Sequence, residues 1–353
     1  MSMVVIGIDP HKSSHTAVAV DHNGRKLAQK TVKTDAGGIL ALWRWAAALA
    51  SAQVLWAVED GRGLAGRLVR TLIGHGAEVV WVPPKLMAQC RASARTRGKS
   101  DPIDALAVAR AALREPDLPT AHLDQTALDL RLLTDRRESL VTRRTAVINA
   151  LRWHLHDLDP ALDTGTAKLT GPRTLATLTT ALHALPDSVR RHLALDLVAE
   201  ISALNKHIGR YERHLADLIT PIAPTLLAIV GVSTVTAAKI IGETAGISRF
   251  RSSAAFAMHA GTAPIPVWSS GKTQFRLNRG GNRQLNTCLH RIAITQLAHH
   301  PPARDYRDRW TTTRPHATTK AALRALKRHL TNTIYRAMTT DATLQQDQLN
   351  QAA

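Results

Sequence analysis

The sequence has almost no cysteine and no long apolar segment. Its two cysteines, Cys90 and Cys288, provide neither a disulfide framework nor a cysteine-based zinc site. The run from Met1 to Asp9 has no basic segment and is too short for a signal peptide, and no stretch approaches the length of a membrane span. These absences predict a protein of the reducing cytoplasm without a membrane partner.

Aromatic residues are also scarce, at 4% of the chain, whereas hydrophobic residues as a whole reach 44%. A sizeable core is therefore possible, but it must be filled by Ala, Leu, Val and Ile. With 353 residues, the chain is long enough for two domains or three small ones.

Acidic residues are missing from a long part of the chain, between Thr244 and Arg304. The formal net charge is +19 in all, with +7 over residues 1–115, +1 over 116–215 and +11 over 216–353. Because cationic side chains release counterions from a phosphate backbone, this excess indicates a nucleic-acid partner. Scattered basic residues also serve simply to solvate a surface, but an acid-free stretch of this length favours nucleic acid.

Short apolar runs and turn residues predict the elements of the N-terminal part. Three strands form a meander, and helices then alternate with two further strands. This order predicts an α/β domain with a mixed sheet. The predicted strands are Val4–Ile8, Thr16–Val20, Lys26–Val32, Val54–Val58 and Glu78–Val82, and the predicted helices are Gly38–Ala50, Leu64–His75 and Pro102–Arg114.

The rest of the chain is predicted to be mostly helical. Residues 125–158 and 188–218 are continuously helix-compatible, which favours either a coiled-coil-like helical arm or an ordinary helical subdomain. Residues 261–281 are rich in Pro, Ser, Gly and Arg and are predicted to form a loop. The expected division is 1–115 (catalytic α/β domain), 116–219 (helical arm), 220–340 (basic, mostly helical domain) and 341–353 (disordered tail).

Four acidic residues lie where strands end or a helix begins. Asp9 follows the first strand and Glu59 ends the fourth, while Asp101 and Asp104 share one face at the start of a helix. Divalent metal ions prefer such hard oxygen ligands, and four carboxylates suffice for a two-metal phosphodiester site. Each acid also has an ordinary explanation, since Asp101 before Pro102 is a typical helix cap.

The phrases around these acids resemble the acidic motifs of IS110-family transposases. They are GIDPHK at Gly7–Lys12, EDG at Glu59–Gly61 and KSDPIDA at Lys99–Ala105. The resemblance implies a RuvC-like, RNase H-type domain with a DEDD tetrad and a Mg²⁺ or Mn²⁺ cofactor. The tetrad would consist of Asp9, Glu59, Asp101 and Asp104.

Two histidines near the first motif are not assigned to this set. We expect His11 to pack beside the acidic site and His15 to lie at the surface.

Later phrases resemble the second domain of the same family. They are LAIVGV at Leu227–Val232, AGTAP at Ala260–Pro264, SSGKT at Ser269–Thr273 and RGGNR at Arg279–Arg283. The family uses a serine of this domain as its nucleophile, and Ser270 matches it better than its neighbour Ser269. Without the resemblance, this segment would indicate a flexible surface turn. The cations expected to contact nucleic acid are Lys272, Arg276, Arg279 and Arg283.

The resemblance implies an insertion-sequence transposase that cleaves and rejoins DNA through a phosphoserine link. It further implies a guide (bridge) RNA encoded by the element, a homo-oligomer (dimer or tetramer) and action at the nucleoid. The alternatives are a RuvC-like, metal-dependent junction nuclease that uses water and a non-enzymatic nucleic-acid-binding protein. The serine-bearing domain disfavours the first alternative, and the intact tetrad disfavours the second.

Overall fold

The structure is a computed structural model, and contacts divide the chain into two compact units, Met1–Leu123 and Asp124–Ala353. None of the helices among the described residues is long and apolar enough to cross a membrane. The described residues are 3–49, 53–59, 64–94, 98–115, 117–121, 124–162, 168–269, 272–314 and 318–352.

The first unit is built on a mixed sheet flanked by helices. Its elements are β1 (Val4–Pro10), β2 (Ser14–Val20), β3 (Lys26–Lys33), α1 (Ala36–Leu49), β4 (Val54–Glu59), α2 (Gly66–Gly74), β5 (Glu78–Val82), α3 (Pro84–Ala92) and α4 (Asp101–Arg114). The five strands lie in the order β3-β2-β1-β4-β5. The first three pair antiparallel, whereas β4 is parallel to both β1 and β5. The predicted α/β domain with a mixed sheet is confirmed.

The central strand β1 is buried on both faces, which explains why its sequence is a continuous apolar run. Ile6 and Ile8 pack in one core with side chains of α1 and α2. Val5 points to the opposite face and packs in a second core with Ala105 and Val108 of α4. Successive side chains of a strand alternate between faces. Alternate residues of β1 therefore pack against the helices on opposite sides of the sheet.

Helix α3 is absent from the predicted elements. The pair Pro83-Pro84 ends β5 as expected, but Pro84 also begins a helix. Proline suits the first position of a helix because its missing N–H has no intrahelical partner there. The same residue therefore stops one element and starts the next.

The second unit is mostly helical, as predicted. Its elements are α5 (Gln125–Leu158), α6 (Pro172–His183), α7 (Val189–Ile219), α8 (Pro224–Leu227), α9 (Thr234–Thr244), α10 (Ser253–His259), β6 (Ile265–Ser269), β7 (Lys272–Arg276), α11 (Arg283–His299), α12 (Pro301–Thr312) and α13 (Thr319–Ala352).

Helices α5 and α7 form a long antiparallel pair. Arg137 lies opposite Glu212, and Arg143 lies opposite Glu200, at 2.6 and 2.7 Å between nitrogen and oxygen. Each helix begins at a capping residue, because the side chain of Asp124 accepts the Ala127 N–H and that of Ser188 accepts the Arg191 N–H. The predicted helical segments 125–158 and 188–218 thus match their observed bounds closely.

The buried side chains of the second unit form two separate hydrophobic clusters. One joins α5, α6 and α7 around Leu151, Leu182 and Ile201. The other joins the start of α5 and the end of α7 to the helices from α8 onwards, around Phe256 and Ile292. The predicted division at residues 219 and 220 stays a proposal, and the second cluster crosses it because it includes Leu130 and Leu215.

The loop predicted over residues 261–281 contains a β-hairpin instead. Strands β6 and β7 pair antiparallel, with Ile265 opposite Arg276 and Ser269 opposite Lys272. Proline, serine and glycine suggested a loop because they are rare in central strands. An isolated two-stranded ribbon is all edge, and it tolerates these residues.

The disordered tail predicted from residue 341 is also wrong, because α13 continues through Ala352. Asp341 is buried, at 3% exposure. Its carboxylate accepts the backbone N–H groups of Thr225 and Leu226 at 2.8 and 3.0 Å, at the start of α8. The carboxylate of Asp341 is thus bound at the N-terminus of α8, a helix distant in sequence. The residues around Asp341 do not indicate this contact.

Candidate functional site

Two adjacent strands end in acidic residues at the same level of the sheet. Asp9 lies near the end of β1, and Glu59 is the last residue of β4. Ile8 pairs with Val58 in the parallel ladder, so Asp9 and Glu59 follow side by side. Because side chains alternate along a strand, both point to the face that carries Val5 and Ala57. Asp9 is buried, at 7% exposure, and Glu59 is half-buried.

Helix α4 packs on that face and brings two more acids. Its first turn carries Asp101 and Asp104, which share one side of the helix because they are three residues apart. The helix approaches β1 so closely that a Cβ on Gly7 would lie 2.2 Å from the Ala105 carbonyl oxygen and 2.4 Å from the Ala109 nitrogen. Glycine at position 7 therefore permits the contact that places the start of α4 beside Asp9.

His11 connects two of the carboxylates. Its Nε2 lies 3.1 Å from Asp9 Oδ2 and 3.1 Å from Asp101 Oδ1. The ligand atoms of the three residues all lie within 4.8 Å of one another, as in a group able to hold a metal ion. The expectation that His11 packs beside the acidic site matches this geometry.

Asp104 is held by a cation from the helix that the sequence did not predict. Arg91 of α3 donates from Nη1 to Asp104 Oδ1 at 2.7 Å. Asp104 is 6% exposed, so the guanidinium offsets part of the cost of burying its charge. Sequence reasoning missed Arg91 because nothing in the local pattern relates it to an acid thirteen residues later.

The acidic cluster opposes ionisation of Asp9. Burial raises the pKa of Asp9, the charge and hydrogen bond of His11 lower it, and the charges of Asp104 and Asp101 raise it, with a net increase. The effect of Asp104 and Asp101 on this pKa shows that three carboxylates lie close enough to interact. Such a cluster gains from a bound cation, which would relieve both the burial and the repulsion.

His15 is not at the surface as predicted, since it is 1% exposed. It lies on β2, where it pairs with Pro10 of the central strand β1. Burial lowers the pKa of His15, and the charge of His11 lowers it further, so the surroundings favour the neutral imidazole. The surrounding sheet, rather than the polarity of the residue, decides its position.

The predicted nucleophile Ser270 and its neighbour Gly271 lie outside the described residues. They connect β6 to β7, and the flanking residues Ser269 and Lys272 pair with each other through the backbone. The side chains of Ser269 and Lys272 also lie outside the described part of the chain. The described residues therefore define the backbone position of Ser269 in the hairpin, but not the side-chain geometry of either serine.

The base of this hairpin is held tightly. Gly261 and Gly281 touch, since a Cβ on Gly281 would lie 2.2 Å from the Gly261 nitrogen. Asn286 of α11 donates from Nδ2 to the carbonyl oxygens of Ala260 and Gly261, at 2.9 and 3.1 Å. The segment 262–280 thus leaves and re-enters the fold at one point.

Asn282 connects the end of this segment to two helices. Its Oδ1 accepts the backbone N–H groups of Gln284 and Leu285 at the start of α11, and its Nδ2 donates to Glu243 of α9 at 2.6 Å. Sequence reasoning did not assign Asn282, although asparagine directly before a helix, as here before α11, is a cap signal.

Three of the four cations predicted to contact nucleic acid lie around the hairpin base, and the fourth, Lys272, lies at the opposite end of the hairpin. Arg276 ends β7, Arg279 follows it, and Arg283 begins α11, and all three are exposed. Lys272 begins β7. Exposed guanidinium groups suit phosphate contacts because they present several donors in a fixed geometry.

Family models match two parts of the chain. A transposase model of the DEDD IS110 type matches residues 6–160, and a transposase model of the IS116/IS110/IS902 family matches residues 223–308. The first match contains the four acidic residues, and the second contains the β6–β7 hairpin. Together they cover about two thirds of the chain.

The chain is similar to proteins of bacterial insertion elements. It is 27% identical over 346 residues to the IS116 uncharacterized 44.8 kDa protein of Streptomyces clavuligerus, with 85% of this chain and 86% of that protein covered. It is 28% identical over 357 residues to the IS900 uncharacterized 42 kDa protein of Mycobacterium paratuberculosis, with 86% and 88% covered. The transposase of IS1111A from Coxiella burnetii is 25% identical over 309 residues, with 87% and 81% covered.

A structural alignment pairs the chain with T. thermophilus RuvC, solved in complex with a Holliday junction substrate. The TM-score is 0.28 and the sequence identity 22%, over 34% of this chain and 99% of that chain.

Proposed function

The chain belongs to the IS110 family of insertion-sequence transposases, and we propose that it cleaves and rejoins DNA by transesterification at Ser270. The observation that carries the proposal is the convergence of Asp9, Asp101 and Asp104 at the end of β1, with Glu59 on the adjacent strand. Divalent metal ions assist phosphodiester cleavage by placing positive charge at the phosphate. Such ions prefer hard oxygen ligands, which the carboxylates of this cluster offer.

The four carboxylates of Asp9, Glu59, Asp101 and Asp104 would hold Mg²⁺ or Mn²⁺. Their fit to such an ion is supported by the all-oxygen donor set and by the effect of the Asp101 and Asp104 charges on the pKa of Asp9. When bound, the metal supplies positive charge that stabilises negative charge developing on the scissile phosphate. Arg91 would keep Asp104 oriented, since its guanidinium already contacts that carboxylate.

The proposed reaction conserves phosphodiester bonds. The Ser270 oxygen forms a bond to phosphorus while the bond from phosphorus to a deoxyribose oxygen breaks, and the serine proton ends on the released hydroxyl. Attack by the hydroxyl of another strand reverses these changes and reseals the DNA without an external energy source. Lys272, Arg276, Arg279 and Arg283 would hold the phosphates, because they lie around the hairpin that carries the serine.

The partners follow from the same proposal. The charge of +19 and the acid-free stretch 244–304 support binding to nucleic acid. The family resemblance supports a guide RNA encoded by the element and a homo-oligomer, dimer or tetramer, whose sites combine domains of different subunits. A DNA substrate would also place the protein at the nucleoid of the cytoplasm.

A covalent adduct tests the serine mechanism. The full chain is incubated with Mg²⁺ and a suicide substrate, an element-end DNA nicked so that the cleaved strand diffuses away and cannot be rejoined. We expect a protein–DNA adduct, mapped by mass spectrometry to Ser270. Ser270→Ala should lose the adduct and the recombination while it retains DNA binding, because the cations remain.

Two further variants make this test specific. Ser269→Ala should be milder than Ser270→Ala, since one of two neighbouring residues points into a site, and Asp101→Asn should abolish cleavage with the fold intact. A link at Ser269 would move the nucleophile by one residue. Metal-dependent cleavage without any adduct would instead favour the nuclease that uses water.

A further inference from the structure

The β6–β7 hairpin exposes two aromatic side chains on one face. Trp268 is 76% exposed and Phe275 is 66% exposed. Trp268 pairs with Thr273, and Pro266 pairs with Phe275. Residues that pair directly share a face, and residues two apart on a strand share it as well, so Trp268 and Phe275 are diagonal neighbours on the same face. Diagonal neighbours of this kind are separated by roughly 7–8 Å between backbone positions.

This placement is unusual for a chain with so few aromatic residues, since only 4% of its residues are aromatic. Elsewhere the large aromatic side chains Trp56 and Phe256 are 1% exposed and fill the cores. A contiguous exposed aromatic face is typical of an interaction surface. The hairpin is also firmly held at its base by the contact of Gly261 with Gly281, so the face is presented in a defined position.

The positive charge around the aromatic face indicates what kind of partner binds there. Arg276 and Arg279 follow Phe275 closely in the chain and are exposed, although Arg276 lies on the opposite face of the ribbon because successive side chains alternate. The chain has no acidic residue from Thr244 to Arg304. A second copy packed on the face by two-fold symmetry would bring two such cationic segments together. Phosphate groups, in contrast, would be attracted to them.

We propose that Trp268 and Phe275 stack on unpaired bases of single-stranded DNA. Aromatic side chains flanked by cations are the usual platform for single strands, because every base has a flat face and every nucleotide has a phosphate. A duplex keeps its base faces stacked on each other and offers no such surface to an aromatic ring. The inference deepens the proposed function by naming the state of the DNA that the serine hairpin takes, and it rests on that function.

Binding of single strands by the full chain tests the proposal. The probes are a fluorescein-labelled oligothymidine and an abasic strand of the same length, measured by anisotropy at one salt concentration. Trp268→Ala should weaken binding to oligothymidine roughly 5- to 150-fold, the loss expected for one stacked base. Binding to the abasic strand should change little, and Trp268→Phe should restore most of the affinity for oligothymidine.

Trp153 provides the matched control, because it lies on α5 and is also 76% exposed. Trp153→Ala should bind oligothymidine like the unaltered chain, and Phe275→Ala should resemble Trp268→Ala. Equal affinities for Trp268→Ala and Trp153→Ala would overturn the proposal, as would an equal loss on the abasic strand. A loss confined to RNA, or a change of oligomeric state measured by light scattering, would also overturn it.

The serine adduct keeps the two ideas distinguishable. Trp268→Ala with an unchanged oligothymidine affinity and a normal Ser270 adduct would reject only the stacking surface. An unaltered chain that forms no adduct would reject the proposed function itself.

Discussion

At Asp9, burial and charge act against each other within a single residue. The side chain is 7% exposed on the central strand β1, and burial raises its pKa together with the charges of Asp104 and Asp101, while His11 lowers it. When an acid has a raised pKa in the folded state, its protonated form stabilises the fold at low pH. This contribution is lost as the pH rises through the raised pKa. In the absence of a cation, the ionised form of Asp9 is therefore a cost to the fold.

Asp9→Asn tests this balance. Because the amide keeps the shape and removes the buried charge, we expect the metal-free variant to unfold at the same temperature as the unaltered chain or a higher one at pH 7. Added Mg²⁺ should raise the unfolding temperature of the unaltered chain, since a ligand of the native state stabilises it. The same addition should leave Asp9→Asn unchanged, as measured by differential scanning calorimetry with EDTA and with Mg²⁺.

An exposed carboxylate of the same unit serves as the control. Glu115 follows α4 and is exposed, so Glu115→Gln should keep the full response to Mg²⁺. A clear loss of metal-free stability in Asp9→Asn would mean that the carboxylate charge stabilises the fold, against the direction of its pKa.

At the scale of elements, the approach of α4 to β1 assembles the acidic site. Gly7 makes the approach possible, and Asp9 lies two residues farther along the same face of β1. The helix then directs Asp101 and Asp104 toward Asp9, while α3 brings Arg91 to Asp104. Three elements thus meet around one strand end, and α4 contributes two charged groups whereas β1 and α3 contribute one each.

Gly7→Ala should separate these elements. Its Cβ would lie 2.2 and 2.4 Å from backbone atoms of α4, and backbone cannot move aside as a side chain can. We expect the free energy of unfolding to fall by roughly 1–3 kcal/mol or more, as for overpacked cores. The response of the unfolding temperature to Mg²⁺ should shrink as well, because α4 is pushed away from Asp9.

Gly74 is the matched control on the same unit. Nothing lies within 4 Å of a Cβ at this position, which is the last residue of α2. Gly74→Ala should leave stability unchanged or raise it by up to about 1 kcal/mol, because alanine favours a helix more than glycine does. If Gly7→Ala behaves like Gly74→Ala in denaturant unfolding, the close packing of α4 on β1 is not as described.

At the scale of the whole molecule, charge is divided unequally along the chain. Residues 216–353 carry a net +11, whereas residues 116–215 carry +1. Several cations of α5 and α7 pair with acids, as Arg137 does with Glu212 and Arg143 with Glu200. Net positive charge is therefore concentrated where the hairpin and its flanking arginines lie.

Salt dependence measures this concentration. We expect the logarithm of the DNA association constant to fall steeply and linearly with the logarithm of the salt concentration, by about 0.9 per phosphate neutralised on duplex DNA. Arg276→Ala and Arg279→Ala should each lower the slope by about 1. Arg213→Ala, an exposed cation of α7, should leave it unchanged. A flat profile for the unaltered chain would mean that its charge serves another purpose.

Local sequence patterns were enough to predict the kinds and approximate bounds of most elements of the first unit and of the long helices α5 and α7. Local patterns predicted the strands β1, β2, β4 and β5, the long helices α5 and α7, and the acids at strand and helix ends. Such patterns predict elements correctly when the packing of the core is consistent with them. The motifs around Asp9, Asp101 and Ser270 also sufficed to identify the family, because several phrases of one family occurred together in one chain.

The three-dimensional packing of the elements determines which distant residues meet. It buried His15 against the prediction, continued α13 through Asp341 and brought Arg91 to Asp104. It also turned a segment with the composition of a loop into a hairpin that exposes Trp268 and Phe275 on one face. Each of these outcomes depends on strand register or on contact between elements far apart in sequence. Such contacts depend on packing between elements, which the residues adjacent in the sequence do not indicate.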